Sequence, residues 1–242
     1  MSSIASSNHP DTGDSTELFW EPVAERRWGQ YISSIELEAI QFALKQVPAF
    51  GLALEIGAEG GRWSKILADQ GWQMTCTDIN ADALTVCQKR IPGANCILVD
   101  QNSTQLPCDS NSVGILLAIE VHEIVEKEWF VHEANRVLSD NGVFVGVFQN
   151  ARSWRALMRN LKRDADGEFI HYTASYAPWR TYMRKQGFKM LKEVGLCWMP
   201  FGRMSDSSLI PMAVRLEQLL RLRKITTFSP WIVFVAQKKT RP

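Results

Sequence analysis

The stretch LALEIGAEGGRW, residues 52–63, decides the fold. It combines an apolar run, the carboxylate of Glu55 and three glycines, Gly57, Gly60 and Gly61. An apolar run that ends in glycines is typical of a buried strand followed by a ligand-binding turn. We therefore expect a small anionic or zwitterionic ligand at this turn.

The chain after this turn alternates short apolar runs with amphipathic segments. Five strands are predicted, at 52–57, 73–78, 95–100, 113–119 and 143–148. Helices are predicted at 62–70, 81–90 and 126–138, and another from Ser33, where Ser33 and Glu36 form a capping box. Five strands alternating with helices predict an α/β fold with a doubly wound sheet, whose ligands bind at the carboxyl ends of the strands.

The chain beyond Asn150 is less regular. Helices are predicted at 153–163, 175–188 and 209–224, and strands at 189–198 and 230–239. The helix at 153–163 has a basic face without an acid, which indicates a membrane-surface or lipid-linked acceptor contact; an ordinary solvated helix is the alternative.

The composition limits the classes of function. The 242 residues carry a net charge of +1, so no global field attracts nucleic acid, and no nucleic-acid partner is expected. Five cysteines without a C-x-x-C pair predict neither a disulfide framework nor a metal site. No apolar run approaches the roughly 18 residues of a membrane span. Residues 1–18 have the composition of a flexible tail and lack the pattern of a signal peptide, so a cytoplasmic protein is predicted.

The spacing of the glycines bears on the cofactor. A dinucleotide fold requires G-x-G-x-x-G, which Gly57, Gly60 and Gly61 do not match. Glu55 would repel a pyrophosphate but attract a cationic group. S-adenosylmethionine has such groups, an ammonium and a sulfonium.

Four segments carry a resemblance to a known family. LEIGAEGGRWSKILADQG, TCTDIN, ILVDQN and EANRVLSDNGVFVGVF resemble the successive motifs of class I S-adenosylmethionine-dependent methyltransferases, most of all the type 11-like group that acts on small molecules. The resemblance implies a Rossmann-like doubly wound seven-stranded sheet with a helical lid and insertions. It implies one domain over 19–242, with a cofactor-binding core at 52–149 and the acceptor lid and insertions at 150–229.

The resemblance also implies roles for particular residues. Glu55 would face the methionine end of the cofactor, and Gly57 would let the chain turn beneath it. Asp78 would take both ribose hydroxyls, and Asp100 and Gln101 would flank the adenine. The implied cofactor set is completed by Gly61, Ile79 and Glu120.

One residue departs from the family pattern. The family's turn follows E/D-x-G-x-G-x-G, and Glu59 stands at the middle glycine. A left-handed backbone at this position would cost a glutamate about 1 kcal/mol. We expect Gly60 to supply the flexibility instead and Glu59 to point to solvent.

Methyl transfer to oxygen or nitrogen benefits from a base. His122 follows the predicted fourth strand and is the candidate base or acceptor-orienting group; the alternative is a helix cap. His171 is a second candidate, with a surface loop as the alternative. Trp179 is a candidate wall of an aromatic acceptor pocket, with core packing as the alternative.

The predicted function is methyl transfer to a small-molecule acceptor in biosynthesis. Oxygen is favoured over nitrogen because no N-P-P-Y-type tetrapeptide follows the fourth strand. A non-catalytic cofactor-binding scaffold and, less favoured, a nicotinamide-dependent oxidoreductase are the alternatives. The choice between monomer and homodimer stays open.

Overall fold

A seven-stranded sheet forms the centre of the molecule in the computed structural model, which describes residues 18–48, 51–158 and 173–240. The strands are β1 (Leu52–Ile56), β2 (Gln73–Asp78), β3 (Asn95–Leu98), β4 (Val113–Ala118), β5 (Leu138–Gln149), β6 (Phe188–Leu196) and β7 (Trp231–Lys238). Their order is β3-β2-β1-β4-β5-β7-β6, with β7 antiparallel to both its neighbours and the other pairs parallel. The predicted seven-stranded α/β fold is confirmed.

Helices cover both faces of this sheet. They are α1 (Trp20–Glu25), α2 (Arg27–Leu44), α3 (Arg62–Ala68), α4 (Ala81–Arg90), α5 (His122–Val125), α6 (Glu128–Val137), α7 (Tyr176–Lys185) and α8 (Ile210–Leu219). Residues 154–158 are also helical, and Leu222–Lys224 form a 3₁₀ turn. Among the helices of the described residues, none is both long and apolar enough to cross a bilayer.

The central strand β4 shows why the sheet is parallel and enclosed. Its residues Ile115 to Ala118 are fully buried and alternate between two core clusters. Ile115 and Leu117 pack on the side of α2 and α3, and Leu116 and Ala118 on the side of α6 and α7. A strand buried on both faces has no polar face for solvent, which accounts for the continuous apolar run.

The order of the strands determines which edge of the sheet can bind a ligand. From β1 the chain steps outward to β2 and β3, then returns to the other side of β1 as β4. The direction of winding therefore reverses between β1 and β4. A crevice opens outside the carboxyl ends of the strands at such a point.

Two helix predictions near the amino terminus and the centre need correction. The helix predicted from Ser33 begins at Arg27, because Arg26 is extended and the buried stripe already starts at Trp28. No capping box forms: Ser33 lies inside α2, where its Oγ accepts a hydrogen bond from Arg62 Nη1 at 2.7 Å. Residues 122–125, for which no helix was predicted, form α5.

Further predictions fall partly outside the described residues. Of the predicted tail 1–18 only Leu18 is described, and of the basic helix only its first residues are. Trp179 lies in the core, where it packs on Phe148 and Phe234 and its Nε1 donates to the carbonyl oxygen of Val125 at 3.1 Å. Core packing, the alternative for this tryptophan, is confirmed.

The aromatic cluster around Phe144 gives a test of this packing. The ring of Phe144 makes edge contacts with Phe130, Phe188 and Phe234, at centroid distances of 5.7, 6.5 and 4.9 Å. We expect Phe144→Ala to lower the free energy of unfolding by about 3–5 kcal/mol in urea titrations, because a cavity replaces these contacts. Leu219→Ala, at a side chain that is 79% exposed, is the control; equal losses for both variants would contradict this core.

Candidate active site

A cavity of about 730 Å³ lies at the carboxyl ends of β1 to β4. This volume is in the range of small-molecule sites. Six of the predicted cofactor-binding residues line it: Gly57, Asp78, Ile79, Asp100, Gln101 and Glu120. The cavity therefore extends from the end of β3 to the end of β4, across the point where the winding reverses.

Asp78 is held at the edge of the cavity by backbone amides. Its Oδ1 accepts a hydrogen bond from Asn80 N at 2.9 Å, and its Oδ2 accepts one from Glu59 N at 2.8 Å. Each carboxylate oxygen has a second lone pair for an incoming donor. The arrangement leaves a double acceptor oriented for a diol, while Ile79 beside it exposes an apolar side chain.

The end of β3 carries a second oriented carboxylate. Asp100 Oδ1 accepts a hydrogen bond from Asn102 N at 2.7 Å, which fixes the start of the following loop. Gln101 lines the cavity next to it. Both residues follow β3, the strand adjacent to β2.

Glu55 and Gly61 do not line the cavity but shape the turn from below. Glu55 is 2% exposed and accepts hydrogen bonds from Ser64 N, at 2.9 Å, and from the Ser64 hydroxyl. Burial raises the pKa of Glu55 to about 8, although the Ser64 donors act in the opposite direction. This carboxyl group joins the end of β1 to the first turn of α3.

The glycines of the turn are required by close approach. Gly57 has φ +65°, and a Cβ there would lie 2.3 Å from Val121 Cγ1, on the segment that leaves β4. Gly61 has φ +74°, and its Cβ would lie 2.6 Å from Cys87 Sγ on α4. Only glycine combines this left-handed backbone with this proximity.

The expectation for Glu59 was wrong on both points. Glu59 itself takes the left-handed conformation, with φ +46°, while Gly60 does not. Its side chain is half-buried and accepts hydrogen bonds from the backbone amides of Phe19 and Trp20. A Cβ at Gly60 would lie 2.3 Å from Leu18 Cδ1, so a side chain there would displace Leu18. The turn is thus packed against the N-terminal segment.

Two buried carboxyl groups adjoin each other at the β4 end of the cavity. Glu36, on α2, is 1% exposed, and the side chain of Glu120 is 4% exposed. The side chain of Glu120 interacts with that of Glu36 and with Arg203. Burial, followed by the charge of Glu36, raises the pKa of Glu120 well above its ordinary value. Burial also raises the pKa of Glu36.

Two arginines limit the cost of burying this acid pair. Arg62 Nη2 lies 3.7 Å from Glu36 Oε2, and Arg203 Nη2 lies 3.8 Å from Glu120 Oε2. Both guanidinium groups lower the pKa values of the acids they face. The pair therefore has the environment of a titrating acid–base group at the wall of a cavity, a setting typical of functional sites.

Glu36 was missed as a site residue by the sequence analysis. A signal was present, because Glu36 lies on the same helical face as Ile32, Ile35, Ala39 and Ile40, all of which are buried. Burying a carboxylate within an apolar stripe costs free energy unless the carboxylate is paired or hydrogen-bonded. The capping-box interpretation obscured this signal.

The side chains of the two predicted histidines are not among those that the structure describes. His122 is the first residue of α5, directly after the cavity residue Val121, and only its backbone is described. His171 lies outside the described residues. Their roles as base or acceptor-orienting groups remain predictions.

Three cysteines meet below the turn. The sulfur atoms of Cys76, Cys87 and Cys96 lie within 4.8 Å of one another, which no sequence spacing indicated. They offer three ligands, one fewer than the four of a structural zinc site. Cys76 and Cys87 are fully buried, so they pack as small apolar side chains beneath Gly61.

The family follows from the sequence of the sheet region. Residues 54–146 match the family described as "Methyltransferase domain". The predicted resemblance to S-adenosylmethionine-dependent methyltransferases is confirmed over this region. The matched region contains the turn after β1, Asp78, Asp100 and Glu120. The match favours methyl transfer over the alternative of a nicotinamide-dependent oxidoreductase.

Solved structures share the fold of this chain at low sequence identity. A putative methyltransferase from Bacillus halodurans has 18% identity and a TM-score of 0.59, covering 86% of this chain and 100% of that chain. An S-adenosylmethionine-dependent methyltransferase from Mesorhizobium loti has 15% identity and a TM-score of 0.58, covering 84% and 97%.

A third structure contains ligands. The geranyl diphosphate C-methyltransferase from Streptomyces coelicolor, solved with Mg²⁺, geranyl diphosphate and S-adenosyl-L-homocysteine, has 14% identity and a TM-score of 0.61, covering 86% of this chain and 80% of that chain. No curated protein sequence gives a significant match. At these identities the likeness to solved structures concerns the fold.

The raised pKa of Glu55 predicts a dependence of stability on pH. In the unfolded chain the carboxyl ionises near its ordinary value of 4.5, but in the folded protein only near 8. Glu55 therefore stabilises the fold most below about pH 4.5, and this contribution is lost as the pH rises through 8. We expect the free energy of unfolding of the wild type to fall relative to Glu55→Gln over this range, measured by urea titration.

Glu38→Gln, which removes an exposed carboxylate of α2, is the matched control. A difference between wild type and Glu55→Gln that stays constant from pH 4.5 to 8 would show that Glu55 is ionised in the folded protein.

Proposed function

We propose that this protein transfers a methyl group from S-adenosylmethionine to a hydroxyl group of a small-molecule acceptor, in a biosynthetic reaction. The observation that carries the proposal is the buried acid pair Glu36–Glu120, in which Glu120 lines the β4 end of the cavity and lies 3.8 Å from Arg203 Nη2. At the other end of the same cavity, oriented acids follow β2 and β3.

The cofactor would occupy the cavity from β3 towards β4. Asp78 would accept hydrogen bonds from the two ribose hydroxyls, and Ile79 would lie against the adenine ring. Asp100 and Gln101 would bind the polar edge of the adenine. The absence of a side chain at Gly57 would let the methionine portion approach the turn, and so direct the methyl group towards the end of β4.

The acid pair supplies what a hydroxyl acceptor needs. As the hydroxyl oxygen attacks the methyl carbon, its proton passes to Glu120 and the proton of Glu120 moves to Glu36. The cofactor would supply the methyl group and keep the electrons of the broken carbon–sulfur bond on sulfur, as a neutral thioether. The pair thus carries one proton before transfer and two after it, and releases one to solvent later. Positioned proton transfer of this kind typically contributes 10²–10⁴-fold to a rate.

The same pair favours oxygen over nitrogen. A buried carboxylate next to an amine stabilises its ammonium form, in which the nitrogen lone pair is already used. A hydroxyl group is not protonated to a cation at neutral pH. It therefore keeps a lone pair for attack on the methyl carbon, and its own proton can pass to the acid pair. The charge of the site therefore supports O-methylation.

Calorimetric titration with S-adenosylmethionine and S-adenosylhomocysteine tests the cofactor. We expect the wild type to bind both, and Asp78→Asn to bind at least about tenfold more weakly, about 1.4 kcal/mol, because the amide replaces one ribose acceptor by a donor. Asp140→Asn, on the exposed surface near the start of β5, is the control. Absence of binding to the wild type would contradict the proposed cofactor.

Methyl transfer to a panel of phenols, alcohols and primary amines tests the acceptor class and the acid pair. With labelled S-adenosylmethionine, we expect products among the hydroxyl compounds. We expect Glu120→Gln to slow single-turnover transfer by about 10² or more while cofactor affinity stays within about threefold, because the amide cannot take up a proton.

Glu128→Gln, an exposed carboxylate at the start of α6, is the control for charge alone. A Glu120→Gln variant with full transfer rate would exclude the acid pair as the base. Cofactor binding without turnover across the panel would favour the scaffold alternative.

A further inference from the structure

The conformation of Glu59 is unfavourable by itself. Its φ of +46° lies in the left-handed region, between the left-handed glycines Gly57 and Gly61. This backbone conformation is destabilising for a residue that has a Cβ atom. A glycine at this position would avoid that cost, so the glutamate side chain must stabilise something that a glycine cannot.

The Glu59 carboxylate binds the first turn of α1. It accepts hydrogen bonds from the backbone amides of Phe19 and Trp20, the second at 3.1 Å to Oε1 and 3.4 Å to Oε2. The first amides of a helix have no acceptor within the helix. Hydrogen bonds to a charged group are stronger than those between neutral groups, so they offset the strain of the left-handed backbone.

The segment held in this way, residues 18–21, forms one wall of the cavity. Leu18 packs over Gly60, and Glu21 pairs with Arg90 at the end of α4. Between these two contacts, Phe19 and Trp20 line the cavity. Among the described contacts, the Glu59 carboxylate is the one that joins the backbone of these two aromatic residues to the turn.

The same wall reaches both functional ends of the cavity. On one side, Glu59 N donates to Asp78 Oδ2 at 2.8 Å. On the other, the ring of Trp20 lies 4.8 Å from the guanidinium carbon of Arg203, whose Nη2 is 3.8 Å from Glu120. Glu59 therefore couples the proposed ribose acceptor to a wall that also contacts the proposed acid pair.

We propose that Glu59 is a positioning residue, whose carboxylate holds Phe19 and Trp20 over the bound cofactor and slows its release. The inference rests on the proposed cofactor, S-adenosylmethionine. With the segment held, these aromatic side chains cover the cavity beside Asp78. The cofactor leaves when the bonds to Glu59 break, so the side chain at this position sets the rate of dissociation.

Two substitutions separate this role from a structural one. Glu59→Gly removes the hydrogen bonds and at the same time relieves the backbone strain. Glu59→Gln keeps an acceptor oxygen at the same reach without the charge. Asn141→Gly is the matched control, because Asn141 also has a left-handed backbone, φ +62°, but is exposed and lies on the strand β5 away from the cavity.

The experiment combines two measurements on the full-length protein. Labelled S-adenosylmethionine is chased from its complex with excess S-adenosylhomocysteine, and amide hydrogen exchange is followed for peptides covering 18–25 without cofactor. We expect Glu59→Gly to release cofactor about tenfold faster or more, and to exchange faster at 18–25, with a Tm close to that of the wild type, because the lost hydrogen bonds and the relieved backbone strain act in opposite directions. Glu59→Gln is expected between wild type and Glu59→Gly, and Asn141→Gly to change the Tm alone.

Different outcomes overturn different statements. Equal cofactor release from wild type and Glu59→Gly overturns the positioning role, as does unchanged exchange at 18–25 in that variant. A wild type that binds no cofactor contradicts the proposed function instead. In that case the exchange measurement still decides whether Glu59 holds the segment.

Discussion

The turn between β1 and α3 is the constraint on which the rest of the structure depends. β1 lies between β2 and β4, so the chain that leaves it must clear Val121 on one side and Cys87 on the other. Glycines with a left-handed backbone at 57 and 61 avoid a clash with both residues. The buried hydrogen bonds from Ser64 to Glu55 then fix the start of α3 beneath the turn. The cavity above the turn stays open at Gly57 because this residue has no side chain.

Acidic groups divide the cavity into two chemically different ends. At the β2 and β3 end, Asp78 and Asp100 are oriented by backbone amides, which suits the binding of neutral hydroxyl and amino donors. At the β4 end, Glu36 and Glu120 are buried against each other, which raises the pKa of both and suits proton transfer. The same residue type thus binds at one end and titrates at the other, because the degree of burial differs.

Residues that follow strands could be located from the sequence, and residues that depend on contacts between distant segments could not. Asp78 and Asp100 were placed correctly because apolar runs define the strands, and the carboxyl ends of parallel strands share an edge. Glu59 was assigned to solvent because its partners, the amides of Phe19 and Trp20, are about forty residues away in the chain. Glu36 was interpreted as part of a capping box because Ser33 lies three residues before it. Its contact with Glu120 is between distant segments of the chain, since Glu120 follows β4, and the sequence does not show it.

The sequence by itself determined the order of strands and helices, the glycine turn, the acids after the strands and the resemblance to the methyltransferase family. These are local features, since hydrophobic periodicity and turn residues act within a few positions. Only the tertiary structure decided that Glu55 supports the turn from below, that Glu120 adjoins Glu36, and that Glu59 holds the N-terminal segment. Burial and hydrogen-bond partners arise when distant segments pack together, and they set the charge and the role of a carboxyl group.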